Sequence, residues 1–99
     1  MFDIEAYATD SVTLYLQCDY TFYKSAQSVL RNAKARGVDT GATMREVVQE
    51  LEDWINYRTP TDRVGNREQF LELVREVGTR WVNWDTVALD LDALWSVEL

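Results

Sequence analysis

Apolar residues recur at three- and four-residue steps along most of the chain, and this is the spacing of one face of an α-helix. The first such stretch covers residues 12–33. Asp19 interrupts its apolar face and is suited to cap a second helix that begins at Tyr20. Gly37 stands where that helix needs a C-terminal cap, so the pattern predicts two consecutive helices before residue 37.

The first residues carry a different signal. Apolar residues occupy positions 2, 4, 6 and 8, the alternation of a strand, but the stretch is short enough to be an extended arm. Val12 and Thr13 are β-branched, which adds a second place for a short strand. We therefore expect a short N-terminal arm, with a strand near residues 2–8 or 12–16 as the alternative.

A third helix is predicted in the middle of the chain. Thr43 and Glu46 have the spacing of a capping box, in which the two side chains satisfy backbone N–H groups at a helix start. The apolar stripe that follows should end before Pro60, because the residue ahead of a proline is pushed out of helical geometry. Residues 58–65 are expected to form a loop.

Two further helices are predicted towards the C-terminus. Asn66 and Gln69 form another capping pair, and Gly78 should weaken the helix that follows without necessarily ending it. A last helix should begin near residues 83–85. Residues 86–92 also alternate as a strand would, but only a helix places Leu94 and Trp95 on the same apolar face, so we prefer the helix.

These elements predict an all-α fold, a compact bundle of four or five helices with a short N-terminal arm. The chain has 99 residues, enough for one modest hydrophobic core, so we expect a single helical domain over residues 1–99. Only four glycines and one proline interrupt it, which favours long helices over many short strands.

The composition argues against catalysis. The chain has no histidine, the commonest general base and metal ligand, and one cysteine, Cys18, which cannot form an intrachain disulfide. We predict a protein that is not an enzyme, has no cofactor and no metal, and resides in the cytoplasm. No apolar run approaches the roughly 20 residues of a membrane-spanning helix, so no membrane partner is expected.

Charge is unevenly distributed along the chain. The net charge is -7, yet residues 20–38 contain four Lys and Arg and no acid, whereas residues 81–99 contain four Asp and Glu and no base. Blocks of opposite sign indicate a surface that recognises a charged partner, or segments that pair with each other. Direct nucleic-acid binding is unlikely on so acidic a chain, since its usual signature is a basic domain.

One acidic face is visible within the third predicted helix. Glu46, Glu50 and Asp53 follow one another at near four-residue steps, and like charges at that spacing cost a helix about 0.2–0.5 kcal/mol per pair. Such a row of carboxylates can imitate a phosphate backbone and occupy a Lys/Arg-lined groove. It can equally be a solvated helix face that keeps a small protein soluble.

Further candidate partner-binding residues come from the C-terminal acids and from the aromatic residues. Tyr20 falls off the apolar stripe and is expected to be exposed, and Trp84 belongs to a tryptophan cluster that could cover the core or bury against a partner. With the acidic face of the third helix, the predicted partner-binding residues are Glu46, Glu50, Asp53, Asp85, Asp90, Asp92, Tyr20 and Trp84.

Two segments carry a resemblance to known proteins. Leu14–Tyr23, with sequence LYLQCDYTFY, and Val82–Ala88, with sequence VNWDTVA, resemble segments of small acidic helical proteins encoded by plasmids and phages, whose function is unknown. In size, acidity and lack of catalytic residues the chain also resembles phage anti-CRISPR and anti-restriction inhibitors as a class. The resemblance implies a mobile-element protein and a helical C-terminus, and it assigns no site residues.

The leading functional hypothesis is a phage or mobile-element protein that inhibits a host nucleic-acid-handling complex, such as a CRISPR effector, in the host cytoplasm. Its acidic surface would bind a basic groove on that host protein or complex. An alternative is a structural or regulatory homo-oligomer, such as a homodimer, in which the basic segment meets an acidic helix and the tryptophans form the interface. A DNA-binding regulator is a further alternative.

Overall fold

The computed structural model describes residues 2–99, and within that range it contains helices and no strand. The all-α prediction is confirmed. Two short 3-10 helices, Thr79–Trp81 and Ser96–Glu98, accompany five α-helices. The α-helices are α1 (Ile4–Cys18), α2 (Tyr20–Ala35), α3 (Thr40–Tyr57), α4 (Arg67–Val77) and α5 (Trp84–Trp95).

The predicted N-terminal arm, and the alternative strands near residues 2–8 and 12–16, are wrong, because α1 begins at Ile4. Asp3 is its N-cap, and the Asp3 carboxylate accepts a hydrogen bond from the Ala6 backbone N–H at 3.0 Å. The alternation misled because only Ala8 of the early apolar residues is buried. Ala8 continues at four-residue steps into Val12 and Leu16, which form the inner face of the helix.

The predicted break between two helices at Asp19 is confirmed. The Asp19 side chain also holds a second part of the chain in place. The Asp19 carboxylate caps α2 by accepting from the Phe22 N–H at 2.8 Å. It also accepts from the Gly65 N–H at 3.0 and 3.1 Å, which ties the loop before α4 to the α1–α2 junction. One carboxylate therefore caps α2 and holds the loop before α4 against it.

The predicted start of α3 was placed too late. Asp39, not Thr43, is the N-cap, and its side chain accepts from the Gly41 N–H at 3.0 Å. Thr43 is buried one turn into the helix, where its hydroxyl donates to the Asp39 carbonyl at 3.0 Å. The helix ends at Tyr57, ahead of Pro60 as predicted.

The boundaries of α4 and α5 are set by capping residues. The Asn66 and Asn83 side chains accept from the N–H groups of Gln69 and Thr86, so both predicted helix starts are confirmed. Gly78 ends α4 rather than merely weakening it, because its φ of +90° is a conformation that side-chain-bearing residues rarely adopt. The strand alternative at residues 86–92 is wrong, since α5 spans it.

Helix α5 lies between α1 and α3, and the α3–α5 pair is the most extensive helix packing in the described chain. Phe70 of α4 packs between Tyr15 of α1 and Trp54 of α3, with ring centroids 5.3 and 6.1 Å away. The largest fully buried side chains come from all five helices and include Leu16, Phe22, Leu30, Met44, Leu51, Phe70 and Leu91.

The C-terminal residues are tied to α2. Glu98 accepts hydrogen bonds from the Tyr23 hydroxyl at 2.8 Å and from the Gln27 amide at 2.7 Å, and the Lys34 ammonium donates to the Leu99 carbonyl at 3.3 Å. The hydrogen bond to Glu98 raises the pKa of Tyr23, with burial and the Glu98 charge acting in the same direction. This anchoring holds the end of α5 in place.

Candidate partner-binding surface

The predicted acidic face of α3 exists, but its members differ in their surroundings. Glu46 and Glu50 are exposed and Asp53 is half-buried, and all three border one shallow depression on the outer side of α3. The Asp53 carboxylate accepts from the Gln49 amide at 2.9 Å. Glu46 forms no salt bridge in the described chain.

Glu50 is held by an arginine of the loop that follows α3. The Arg63 guanidinium donates through two nitrogens to the two Glu50 oxygens, with Nη2 at 3.0 Å from Oε1. A third nitrogen of Arg63 donates to the Ser25 hydroxyl at 2.6 Å. Such a two-pronged arginine–carboxylate pair is geometrically specific. Glu50 therefore fastens the loop and α2 to α3, and its charge is neutralised within the chain.

The C-terminal acids do not form one surface. Asp85 pairs with Arg45 of α3 at 2.8 Å on the exposed side of the α3–α5 pair, and Asp90 is exposed. Asp92 is half-buried beside the start of α3, where a Cβ added to Gly41 would lie 3.4 Å from its Oδ2. Its Oδ1 is buried without a hydrogen-bond partner in the described chain.

The two predicted aromatic anchors also differ. Tyr20 is 65% exposed, with the Lys24 ammonium 5.4 Å from the centre of its ring. Trp84 is only 8% exposed and belongs to the hydrophobic core, so it offers a partner little surface. Trp95 is 3% exposed and packs against Phe22 and Tyr23, so it too offers a partner little surface. These indoles cover the small core, one of the two roles that the sequence left open.

The structure assembles a different acidic group, which we call the acidic cleft. It has a volume of about 340 Å³, and its carboxylates come from three helices: Glu5 of α1, Glu52 of α3 and Asp85 of α5. Trp81 and Arg80, from the 3-10 helix, line another wall, and the Arg80 guanidinium lies 4.7 Å from the centre of the Trp81 ring.

Two hydrogen bonds place the walls of the acidic cleft. The Asn83 backbone N–H donates to the Thr9 hydroxyl at 2.9 Å, and the Asn83 amide donates to the Glu5 carboxylate at 3.3 Å. Asn83 also caps α5, so the same residue starts that helix and joins it to α1. The first turns of α1 and α5 are thereby brought alongside Glu52.

The surroundings of Glu52 raise its pKa. Partial burial is the largest cause, and the negative charges of Asp53 and Asp85 add to it. No residue of the described chain forms a salt bridge with Glu5 or Glu52. A cation entering the cleft would favour the ionised form of Glu52 and offset its repulsion by Asp53 and Asp85.

Sequence reasoning missed Glu5 and Glu52 because neither belongs to a row of acids on one helix. Glu52 lies next to Asp53 in sequence but off the predicted acidic face, and Glu5 was assigned to the N-terminal arm. An N-terminal helix could have been suspected from Asp3, which precedes the apolar stripe as an N-cap residue should. The proximity of the two acids depends on tertiary packing.

Other chemistries find little support among residues 2–99. No group of three or more His, Cys, Asp or Glu side chains there is placed to hold a metal ion. Cys18 is a free, exposed cysteine at the end of α1. None of the helices has the length and apolar character needed to cross a membrane.

Comparison with known proteins adds no assignment: no family model, no curated protein and no solved structure matches the chain.

Proposed function

We propose that this chain is a non-enzymatic protein-binding module whose acidic cleft receives a Lys or Arg side chain from a basic groove of its partner. In its most specific form, the proposal is a phage or mobile-element protein that inhibits a host nucleic-acid-handling complex such as a CRISPR effector. A groove that binds nucleic acid is lined with Lys and Arg, and an acidic protein seated in it would exclude the natural ligand.

The supporting observation is the gathering of Glu5, Glu52 and Asp85 from three helices around one cleft. Two unit charges 4 Å apart attract by about 1 kcal/mol in water and by about 4 kcal/mol where the effective dielectric constant is near 20. A half-buried carboxylate such as Glu52 therefore gains more from a cation than a fully solvated one does.

The outer side of α3 would extend this binding surface. Glu46 and Asp53 lie on the same helix as Glu52, whereas Glu50 contributes little because Arg63 already neutralises it. The proposed contact is therefore the acidic cleft together with Glu46 and Asp53, rather than the predicted row on α3 and the C-terminal acids. Asp90 lies on α5 and would contribute to long-range attraction of a basic partner.

A matched pair of variants tests the proposal. Glu5→Gln/Glu52→Gln removes two charges from the acidic cleft, and Glu68→Gln/Glu76→Gln removes two exposed charges from α4. Each variant is titrated against a panel of purified CRISPR effector complexes, with nucleic-acid cleavage and direct binding as readouts. The proposal predicts that the cleft variant loses inhibition while the α4 variant retains it. Equal loss in both variants, or no inhibition of any effector by the wild-type protein, would contradict it.

The homo-oligomer remains a second candidate because of the basic segment on α2. Lys24, Arg31 and Arg36 are exposed, and none forms a salt bridge in the described chain. Light scattering over a dilution series measures this directly. A dimer that weakens with salt would favour pairing of these cations with an acidic helix of a second copy, and a monomer at all concentrations would exclude it.

DNA-binding regulation is the third candidate, and the same α2 residues would carry it. Retention on duplex DNA should then fall steeply with salt, because each phosphate contact releases counterions. Arg31→Gln should weaken that retention, and no retention at low salt would exclude this function.

A further inference from the structure

Helix α1 is apolar on two opposite faces. Its inner face, with Ala8, Val12 and Leu16, is fully buried in the core. A surface helix usually turns charged or polar residues outwards on the other side. The outer face of α1 instead carries large apolar residues, of which Ile4 is 39% exposed, Tyr7 51% and Leu14 60%.

The outer residues of α1 have the spacing of a helix-packing surface. We call them the outer seam: Ile4, Tyr7, Ser11, Leu14 and Cys18. Their steps are three, four, three and four residues, which is the pattern by which one helix packs lengthwise against another. Phe2, 72% exposed, extends the apolar surface by placing its ring 5.5 Å from that of Tyr7.

The neighbouring helix α2 has no such continuous apolar stripe on its outward side. Its outward row begins with the exposed Tyr20 and continues with Lys24, Ser28 and Arg31, which are polar or charged and exposed. An uncharged, lengthwise apolar stripe on α1 is therefore unlike the solvated face beside it. It is suited to pack against another helix, whose apolar side chains would fill the spaces between those of the seam.

The charges around the outer seam indicate which helix would fit. Asp3 and Asp10 are exposed along one side of the seam, and residues 1–23 contain four acids and no Lys or Arg. A partner helix with an apolar stripe bordered by Lys or Arg would complement both features. In an antiparallel dimer of α1 centred on Ser11, the two Asp10 side chains would lie close together and repel each other. The acids beside the seam would likewise repel an anionic lipid surface.

We infer that the outer seam of α1 is a docking site for a cationic amphipathic helix of another protein. This goes beyond the proposed function, because the seam and the acidic cleft are separate surfaces. The cleft receives single cationic side chains, whereas the seam requires a helix with an apolar stripe. Loss of one would leave the other intact.

The test uses the full chain and three model peptides of equal length. The first is an amphipathic helix with leucines at heptad positions a and d and lysines beside them, the second has glutamates in place of the lysines, and the third is a scrambled version of the first. Binding is measured by fluorescence anisotropy. The lysine-bordered peptide should bind with 1:1 stoichiometry and the other two at least about tenfold more weakly, a difference of about 1.4 kcal/mol.

Variants of the protein locate the binding site. Leu14→Ser should weaken binding about tenfold, whereas Leu89→Ser, which alters a comparably exposed leucine on α5, should leave it unchanged. Asp10→Lys should weaken the binding of the lysine-bordered peptide and strengthen the binding of the glutamate-bordered one. Because these side chains are exposed, the helical circular dichroism and the unfolding temperature should not change, which separates lost binding from lost folding.

Three results would overturn the inference. The first is scrambled-peptide binding as strong as that of the amphipathic peptide, and the second is wild-type affinity in Leu14→Ser. The third is a wild-type dimer, detected by light scattering, that Leu14→Ser converts to a monomer. If Glu5→Gln/Glu52→Gln abolishes peptide binding and Leu14→Ser does not, the peptide occupies the acidic cleft. The seam would then be excluded while the proposed function stands.

Discussion

The two acidic regions of this protein, the outer face of α3 and the acidic cleft, contain similar residues in different settings. On α3, Glu46 is solvated and Glu50 is neutralised by Arg63. In the cleft, Glu5, Glu52 and Asp85 converge from three helices, and burial with neighbouring negative charge raises the pKa of Glu52. Asp85 is paired with Arg45, but Glu5 and Glu52 form no salt bridge in the described chain. The difference shows that the number of acids matters less than how many of them the fold leaves without a cationic partner.

The largest expected effect concerns the wall shared by the cleft and the core. Trp84 borders the acidic cleft but is buried. Trp84→Ala should lower the free energy of unfolding by about 3–5 kcal/mol, the usual cost of deleting a buried aromatic side chain. Chemical denaturation measures this. A loss below about 1 kcal/mol would mean that Trp84 is dispensable to the core and available to a partner, contrary to its observed burial.

The next effect tests whether Glu50 is structural. Arg63→Ala removes the guanidinium that joins Glu50 to Ser25, and we expect it to lower the free energy of unfolding by about 1–2 kcal/mol. The range is modest because Glu50 is partly solvated and its charge is screened. Arg67→Ala breaks the exposed Arg67–Asp62 pair and is the matched control, with an expected change below about 0.5 kcal/mol. Equal effects of the two substitutions would mean that the Arg63–Glu50 pair is no more structural than the exposed Arg67–Asp62 pair.

A smaller expected effect is a pH dependence of protein stability, which distinguishes the acidic cleft from the outer face of α3. Because the pKa of Glu52 is raised in the folded state, the folded protein binds more protons than the unfolded chain between the ordinary and the raised pKa. Stability should therefore fall as pH rises through that window. Glu52→Gln should unfold at a higher temperature than the wild type above the window, with the difference vanishing below it. Glu46→Gln keeps Glu52 and is the matched control, so it should retain the wild-type fall in stability with pH.

The smallest expected effect on protein stability comes from Glu46, the solvated residue on the outer face of α3. Glu46→Lys should change the free energy of unfolding by no more than about 0.5 kcal/mol, as is usual for exposed positions. If Glu46 extends the proposed contact, the same substitution should slow association with a basic partner and reduce its dependence on salt. Stopped-flow mixing at two salt concentrations measures both. An unchanged association rate would confine the contact to the cleft.

The parts of the fold that could be predicted from sequence were those with local causes. Asp19, Asn66 and Asn83 cap helices through hydrogen bonds to nearby N–H groups, and Pro60 excludes helix ahead of it. The start of α3 was misplaced because two residues, Asp39 and Thr43, can each act as a cap, and only packing shows that Thr43 is buried. The arm was mistaken for non-helical chain because α1 is apolar on both faces, which obscures a helical period.

The candidate site was less predictable for the same reason. The row Glu46, Glu50 and Asp53 can be read from helical spacing alone, but the Arg63 interaction with Glu50 depends on how the loop folds back. Glu5 and Glu52 are 47 positions apart, and no local pattern links them. Trp84 could be assigned to a tryptophan cluster from sequence, whereas its burial required the packing of α5 between α1 and α3.

The most direct test of the acidic cleft is an NMR titration of the Glu52 side-chain carboxyl, without and with a short arginine-containing peptide. The account predicts a pKa above the ordinary glutamate value in the free protein, a fall in that pKa when the peptide is added, and a concurrent shift of the Trp81 indole N–H resonance. An ordinary pKa in the free protein, or a raised pKa that the peptide leaves unchanged, would contradict it.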